Sequence, residues 1–288
     1  MKFLILAVVF STLNHLLFKA FSRLNITLLT AVCLNYAVCV CIGCVSSGMS
    51  RGGINPTEQA WFPISVVQGI LLFFSFLLMG RTTYRCGVSI ASLATRLSIA
   101  IPTIAAFFLY ADTIGISKMA GIAAALAALF LSATTPSSDI DVSSLPHPFL
   151  PVSLFVVFGI HSALLKYVQA RFLTGYDYHS YIMASFWFAF LASVFFVCFQ
   201  IMQKKLALKR EDIFAGILLG TANYGSVYCL IKTLAVPGWQ SSQIFPTISI
   251  LVVALSTLLA RIAFREKIHN KVAAALIIGA AGIIFVNL

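Results

Sequence analysis

The sequence predicts an all-α polytopic membrane protein with ten transmembrane helices as two inverted five-helix repeats, and three observations carry that expectation. The first is composition: of 288 residues, 60% are hydrophobic and 9% are charged, and mean hydropathy is +1.00. A soluble domain carries about 25% charged residues, so lipid has to cover most of this chain. The second is segmentation into apolar runs of about 20 residues, the length that crosses a bilayer. The third is an internal repeat in one register.

The spans are expected at about 2–19, 26–46, 62–80, 87–110 and 115–133, then at about 149–168, 178–202, 212–233, 239–261 and 271–288. Ten such spans use about 200 residues and leave only short connections, with no room for a soluble domain. The first, with Lys2 ahead of it, has the outline of a signal peptide. Asn14, His15 and Lys19 interrupt that pattern and no small-residue cleavage site follows, so it is read as a membrane helix. Residues 135–148 hold three of the nine prolines, Pro136, Pro146 and Pro148, together with four serines and two aspartates. This is the most loop-like stretch, and it divides a first repeat, 1–134, from a second, 149–288.

Gly69-Ile70-Leu71-Leu72 recurs 147 residues later as Gly216-Ile217-Leu218-Leu219, and Lys19 with Lys166, and Arg85 with Lys232, keep the same separation. Both halves close with a Pro-bearing helix (Pro102; Pro246), an acid (Asp112; Glu266) and an Ala- and Gly-rich helix. Because five is odd, the second repeat must enter the membrane from the opposite side, which gives the inverted topology typical of secondary transporters.

The net charge of +11 comes from 19 Lys and Arg against 8 acids. In a chain of this kind the excess marks membrane-flanking loops. No basic stripe with interleaved aromatics appears, so no nucleic-acid partner is expected. On the ten-span topology the face with both termini carries six basic residues and the other carries twelve, and the positive-inside rule then puts both termini outside. The seven cysteines read as small hydrophobes, without metal-ligand spacing or a disulfide framework. No metal and no cofactor is expected, and without a Walker A loop ATP does not drive the protein directly.

Polar side chains at membrane depth are costly and face a bundle interior or an aqueous cavity. Arg96, nine residues into the fourth span, is the candidate anchor for an anionic substrate group, through its two-pronged guanidinium; a structural role near Pro102 is the competing reading. Asn14 and His15 fall in register with His161 and Ser162 when Lys19 is set on Lys166, so both pairs are candidates to line one cavity. Gln68, Asn223, Tyr224 and Gln243 complete the expected substrate-binding set, with packing as the alternative for each. Pro102 and Pro246 are the candidate hinges. None of the eight acids falls mid-helix, so coupling to a proton would run through His15 or His161, or through carbonyls freed at the two prolines; exchange against a counter-substrate is the other option.

The run Phe264-Arg265-Glu266-Lys267-Ile268 ahead of the last helix resembles the EamA-like branch of the drug/metabolite transporter superfamily. Leu93-Ala94-Thr95-Arg96-Leu97-Ser98 to Ile101-Pro102, followed by Asp112, is similar to that family's fourth helix and its acidic end. The resemblance spans the whole chain, with one departure: Ala111-Asp112 stands where the family more often has Gly-Glu. It implies both termini in the cytoplasm, opposite to the charge count. The expected function is a secondary transporter of small polar metabolites, such as amino acids or related anions, or of drugs. It would work by alternating access at a midplane cavity between the repeats, in a bacterial inner (plasma) membrane, with a small-molecule substrate and the lipid bilayer as partners. The alternatives are an intramembrane enzyme built on His15, His161, His179 and Asp177, and a non-transporting scaffold.

Overall fold

The computed structural model describes residues 2–24, 26–47, 55–86, 88–109, 115–133, 149–173, 177–203, 209–264 and 270–287. The linker 135–148, Asp112 and Glu266 lie outside them. The described residues form helices and turns with no strand: α1 (Lys2–Arg23), α2 (Leu28–Ser46), α3 (Phe62–Cys86), α4 (Val88–Leu97), α5 (Ala100–Leu109), α6 (Ile116–Ala133), α7 (Phe149–Arg171), α8 (Asp177–Met202), α9 (Arg210–Leu234), α10 (Ser241–Phe264) and α11 (Asn270–Asn287). Every apolar run read from the sequence contains helix.

The run expected at about 87–110 differs, because it is broken into α4 and α5. Pro102 has no N–H to give to Ser98, and its ring crowds the carbonyl four residues back. Ser98 and Ile99 leave the helix, and α5 restarts with Ile101 N–H on Ser98 O (3.0 Å) and Thr103 N–H on Ile99 O (3.1 Å). Pro102 thus falls in the first turn of α5, where proline is tolerated. Pro246 lies inside α10, which continues through it. Between α9 and α10, Gly238 has φ 81°, in the third position of a Val236-Pro237-Gly238-Trp239 turn closed by Trp239 N–H on Val236 O at 3.4 Å. A type II turn needs positive φ at its third position, which glycine supplies, and commonly has proline at the second.

Among the described residues, seven helices are long and apolar enough to cross a membrane: Lys2–Phe21, Leu28–Ser46, Phe62–Thr83, Phe149–Arg171, Tyr178–Met202, Arg210–Leu234 and Ser241–Leu259. Their outer faces are oily. Ile5, Leu6, Val9 and Leu13 on α1, Trp187, Leu191, Phe195, Phe199 and Met202 on α8, and Ile213, Phe214, Ile217 and Leu218 on α9 are all exposed, at helical spacing. Continuous apolar surface of this extent is untenable in water and suits lipid. The molecule is a helical membrane protein.

By contacts the chain divides into two compact units, Met1–Leu77 with Leu164–Ala235 and Leu78–Ala163 with Val236–Leu288. Each takes one segment from either side of the linker, so packing groups the helices differently from chain order.

In the first unit α1 and α9 run antiparallel, with Phe3 against Tyr228 and Phe10 against Gly225. α2 and α8 are also antiparallel: Cys33 lies beside Ser193, Tyr36 by Phe186 and Gly43 on Met183. α2 and α9 are parallel, with Thr27 bonded to Asp212, Gly216 seated on Ala31 and Leu34, and Asn35 bonded to Asn223. α3 and α8 are parallel as well, with Gly69 on Ser185 and Ala189 and Phe73 against Phe196. Around these crossings lies a core of Tyr36, Trp61, Phe73, Tyr181, Phe186 and Leu219. In the second unit α6 and α11 are antiparallel and close: Gly279 faces Ala128, and Gly282 faces Ala125 and Gly121. Small residues at such a seam let backbones approach, which is how helices gain contact when lipid tails are as apolar as the side chains.

Candidate functional site

Of the eight predicted substrate-binding residues, Asn14, His15, Gln68, Asn223 and Tyr224 belong to the first unit and Arg96, His161 and Gln243 to the second.

The first unit brings polar groups together at the α2–α9 crossing. Gly220 lets α9 approach until an added Cβ would stand 2.7 Å from Asn35 O. At that distance Asn223 Nδ2 donates to Asn35 Oδ1 at 3.1 Å, and Cys39 Sγ donates to Gly220 O at 3.2 Å. Asn35 and Cys39 are fully buried and Asn223 nearly so. This pair satisfies itself across the helices. The next residue, Tyr224, has its OH 2.7 Å from His179 Nδ1. Asn14 lies on α1 between two levels, one fixed by Phe10 on Gly225 and the other by a groove that Leu17 shares with Leu218. Its Oδ1 is buried without a hydrogen-bond partner. His15 is half-buried, and Gln68 is buried on α3.

In the second unit Arg96 is half-buried on α4. Its Nη2 reaches Ser256 Oγ on α10 only at 3.5 Å, the outer limit of a hydrogen bond, and its buried Nε has no partner. A guanidinium carries five N–H donors, and this one has most of them unspent on the described residues. His161 is buried on α7, edge-on to Phe158 at 5.9 Å. Ser162, the register partner of His15, turns its hydroxyl back to Phe158 O at 2.9 Å. Gln243 sits in the first turn of α10, where its Oε1 accepts from Gln240 N at 3.0 Å. That bond gives it a capping role. Ser242, beside it, is fully buried.

Two features escaped the sequence. Asp212, in the first turn of α9, is fully buried; its Oδ1 accepts from Thr27 N at 2.9 Å while Oδ2 has no partner. Helix N-termini favour a carboxylate, and here the starts of α2 and α9 share one. An acid in a first turn was legible, but its burial by a helix 185 residues away was not. The second is Lys232, whose Nζ stands 4.3 Å from the Tyr178 ring and 5.8 Å from the Tyr228 ring. Among the described residues no group of three His, Cys, Asp or Glu is arranged to hold a metal.

No family model matches the chain. It is 25% identical over 271 residues, 93% of its length and 91% of the relative's, to a Haemophilus influenzae (strain ATCC 51907 / DSM 11121 / KW20 / Rd) protein described as "Uncharacterized protein". A solved structure described as "Crystal structure of protein" superposes with a TM-score of 0.76 at 15% identity, covering 99% of this chain and 94% of that one. That likeness concerns the fold, and it extends over nearly the whole length of both chains.

Proposed function

We propose that this chain is a secondary transporter of small polar metabolites, with the ten-helix, inverted-repeat architecture of the EamA-like drug/metabolite transporters, in a bacterial plasma membrane. The observation that carries the reading is a pair of matched helix crossings. Gly69 on α3 packs on α8, and its repeat partner Gly216 on α9 packs on α2, through the same three atoms in each case. The second helices of the two halves, α2 and α8, are antiparallel, as are the fifth, α6 and α11. Counterparts running in opposite directions are what inverted repeats require, and that duplication provides alternating access with its two equivalent states. Polar groups on apolar helices add to this, since polar residues buried in a membrane protein mark a substrate or ion path by default, and Arg96 stands in the last turn of α4, just before the break to α5. Arg96 is one substrate contact in this reading, with most of its donors unspent on the described residues. The bacterial setting rests on the Haemophilus influenzae relative.

The test is flux. Purified protein in liposomes is screened against labelled metabolites grouped by charge, with counterflow from preloaded vesicles. Saturable uptake of one class, absent from empty liposomes and lost in Arg96→Ala, is the expected result. Uptake of no class in either direction overturns the reading.

A further inference from the structure

At the end of the first unit where α1 and α8 begin and α9 finishes, five side chains from α8 and α9 converge on one spot. His179 stacks on Tyr228 with ring centroids 4.4 Å apart and planes 22° from parallel, and its Nδ1 is 2.7 Å from Tyr224 OH. Lys232 Nζ lies over the Tyr178 ring at 4.3 Å and the Tyr228 ring at 5.8 Å, close enough to act electrostatically on His179. Tyr178 and Tyr224 are buried, whereas His179, Tyr228 and Lys232 are half-buried and so reach the surface.

A partly buried ammonium requires compensation for lost hydration. Aromatic faces supply some of it, since a cation over a ring gains about 0.5–2 kcal/mol. They supply no hydrogen-bond acceptor of carboxylate quality for its three N–H donors, and the described residues contribute no carboxylate to it. The contrast with Lys166 is informative: Lys166 Nζ is spent on Gln169 Oε1 (2.6 Å) and Leu234 O (3.2 Å). The two stacked rings hold the imidazole plane fixed, and the Tyr224 bond fixes which nitrogen faces inward. An ammonium and an imidazole therefore stand together, and Tyr224 OH donating to His179 Nδ1 leaves Nε2–H as the imidazole's own donor, a pairing suited to an oxyanion.

We propose that Lys232 and His179, the latter positioned by Tyr224, form an oxyanion-recognition site that receives the carboxylate or phosphate group of the transported molecule. This rests on the transporter reading and narrows it to anionic substrates.

The experiment is a binding titration of the full chain in lipid nanodiscs, followed by melting temperature and independent of flux. The probes are inorganic phosphate, sodium succinate and sodium benzoate, with sodium chloride and choline chloride as controls. The expected result is stabilisation by phosphate or by a carboxylate and by neither control. Lys232→Met should weaken that stabilisation by roughly ten- to hundredfold in apparent affinity, the worth of a charge-assisted hydrogen bond, and Lys232→Arg should retain it. Phosphate without the carboxylates, or the reverse, names the source of the oxyanion. If Lys232→Met fails to fold, Tyr224→Phe is read in its place and should weaken binding severalfold. No response to any oxyanion, or an equal response in the variants, overturns the proposal. Flux that survives Lys232→Met removes this site and leaves the transporter reading standing, whereas oxyanion binding without flux does the reverse.

Discussion

Gly69 and Gly216, 147 residues apart, occupy the same place in two copies of one helix crossing. A Cβ on Gly69 would meet Ser185 O at 2.5 Å, Phe188 Cβ at 2.6 Å and Ala189 N at 2.9 Å; on Gly216 it would meet Leu34 Cβ, Ala31 O at 3.0 Å and Asn35 N at 3.4 Å. The atoms correspond one for one, and Ala31 with Ser185, Leu34 with Phe188 and Asn35 with Ala189 are each 154 residues apart. The third helices thus keep the 147 register while the second helices keep a 154 register. The loop between α2 and α3 is longer than the loop between α8 and α9, which restores the shorter spacing.

Alanine at either glycine should push a helix pair apart. Both glycines face two backbone atoms, but those at Gly69 are closer, 2.5 and 2.9 Å against 3.0 and 3.4 Å, so Gly69→Ala is expected to cost more than Gly216→Ala. Overpacking of a fitted contact costs about 1–3 kcal/mol. Melting of the two variants in detergent checks the order, and equal melting to wild type at position 69 would contradict the packing described.

The matched crossings are not chemically identical. Where α2 and α9 set Asn35 against Asn223, the repeat-related positions are Ala189 and Phe76. The polar pair is therefore a local tie. Asn223→Ala should destabilise by about 0.6–1.7 kcal/mol, the range for interhelical hydrogen bonds in membranes. In a double-mutant cycle with Asn35→Ala the second substitution should cost little more; strict additivity would mean that the bond contributes nothing.

Asp212 joins the starts of α2 and α9. Asp212→Asn keeps an oxygen for Thr27 N–H and is expected to melt close to wild type. Asp212→Ala leaves that N–H and the N-terminus of α9 without an acceptor and should cost about 1–3 kcal/mol. Thermal denaturation at low and high salt separates the two substitutions, and an alanine variant as stable as the asparagine one would remove the latch.

Arg96→Ala is expected to abolish transport with little change in melting temperature, because among the described residues its guanidinium makes only one long bond, to Ser256. Arg96→Lys should recover part of the flux, since a point charge replaces the fork. Unfolding of the alanine variant would assign Arg96 a packing role.

Alternating access predicts that cysteines placed at positions 14 and 161, in a background stripped of the seven native cysteines, react with impermeant thiol reagents from opposite sides in turn. Substrate should shift the balance of rates by severalfold. Protection of both from either side would exclude an aqueous route past them.

Much of the architecture was written in local features. Apolar length and polar gaps mark each helix because a helix in lipid satisfies its own backbone, so its existence depends on its own residues alone. The 147-residue offset was readable in one tetrapeptide and two pairs of basic residues, and the contacts of Gly69 and Gly216 follow it. What the sequence could not supply was which helices meet. The parallel seating of α2 on α9, the burial of Asp212 beneath Thr27, and the meeting of Lys232 with His179 and three tyrosines depend on close approach. In lipid that approach is governed by shape complementarity between small residues such as Gly216 and Gly220 and their partners, since the bilayer offers no hydrophobic pattern to distinguish one apolar face from another. The break at Ser98–Ile99 falls between the two cases: Pro102 made it predictable in kind, and the folded chain fixed its place.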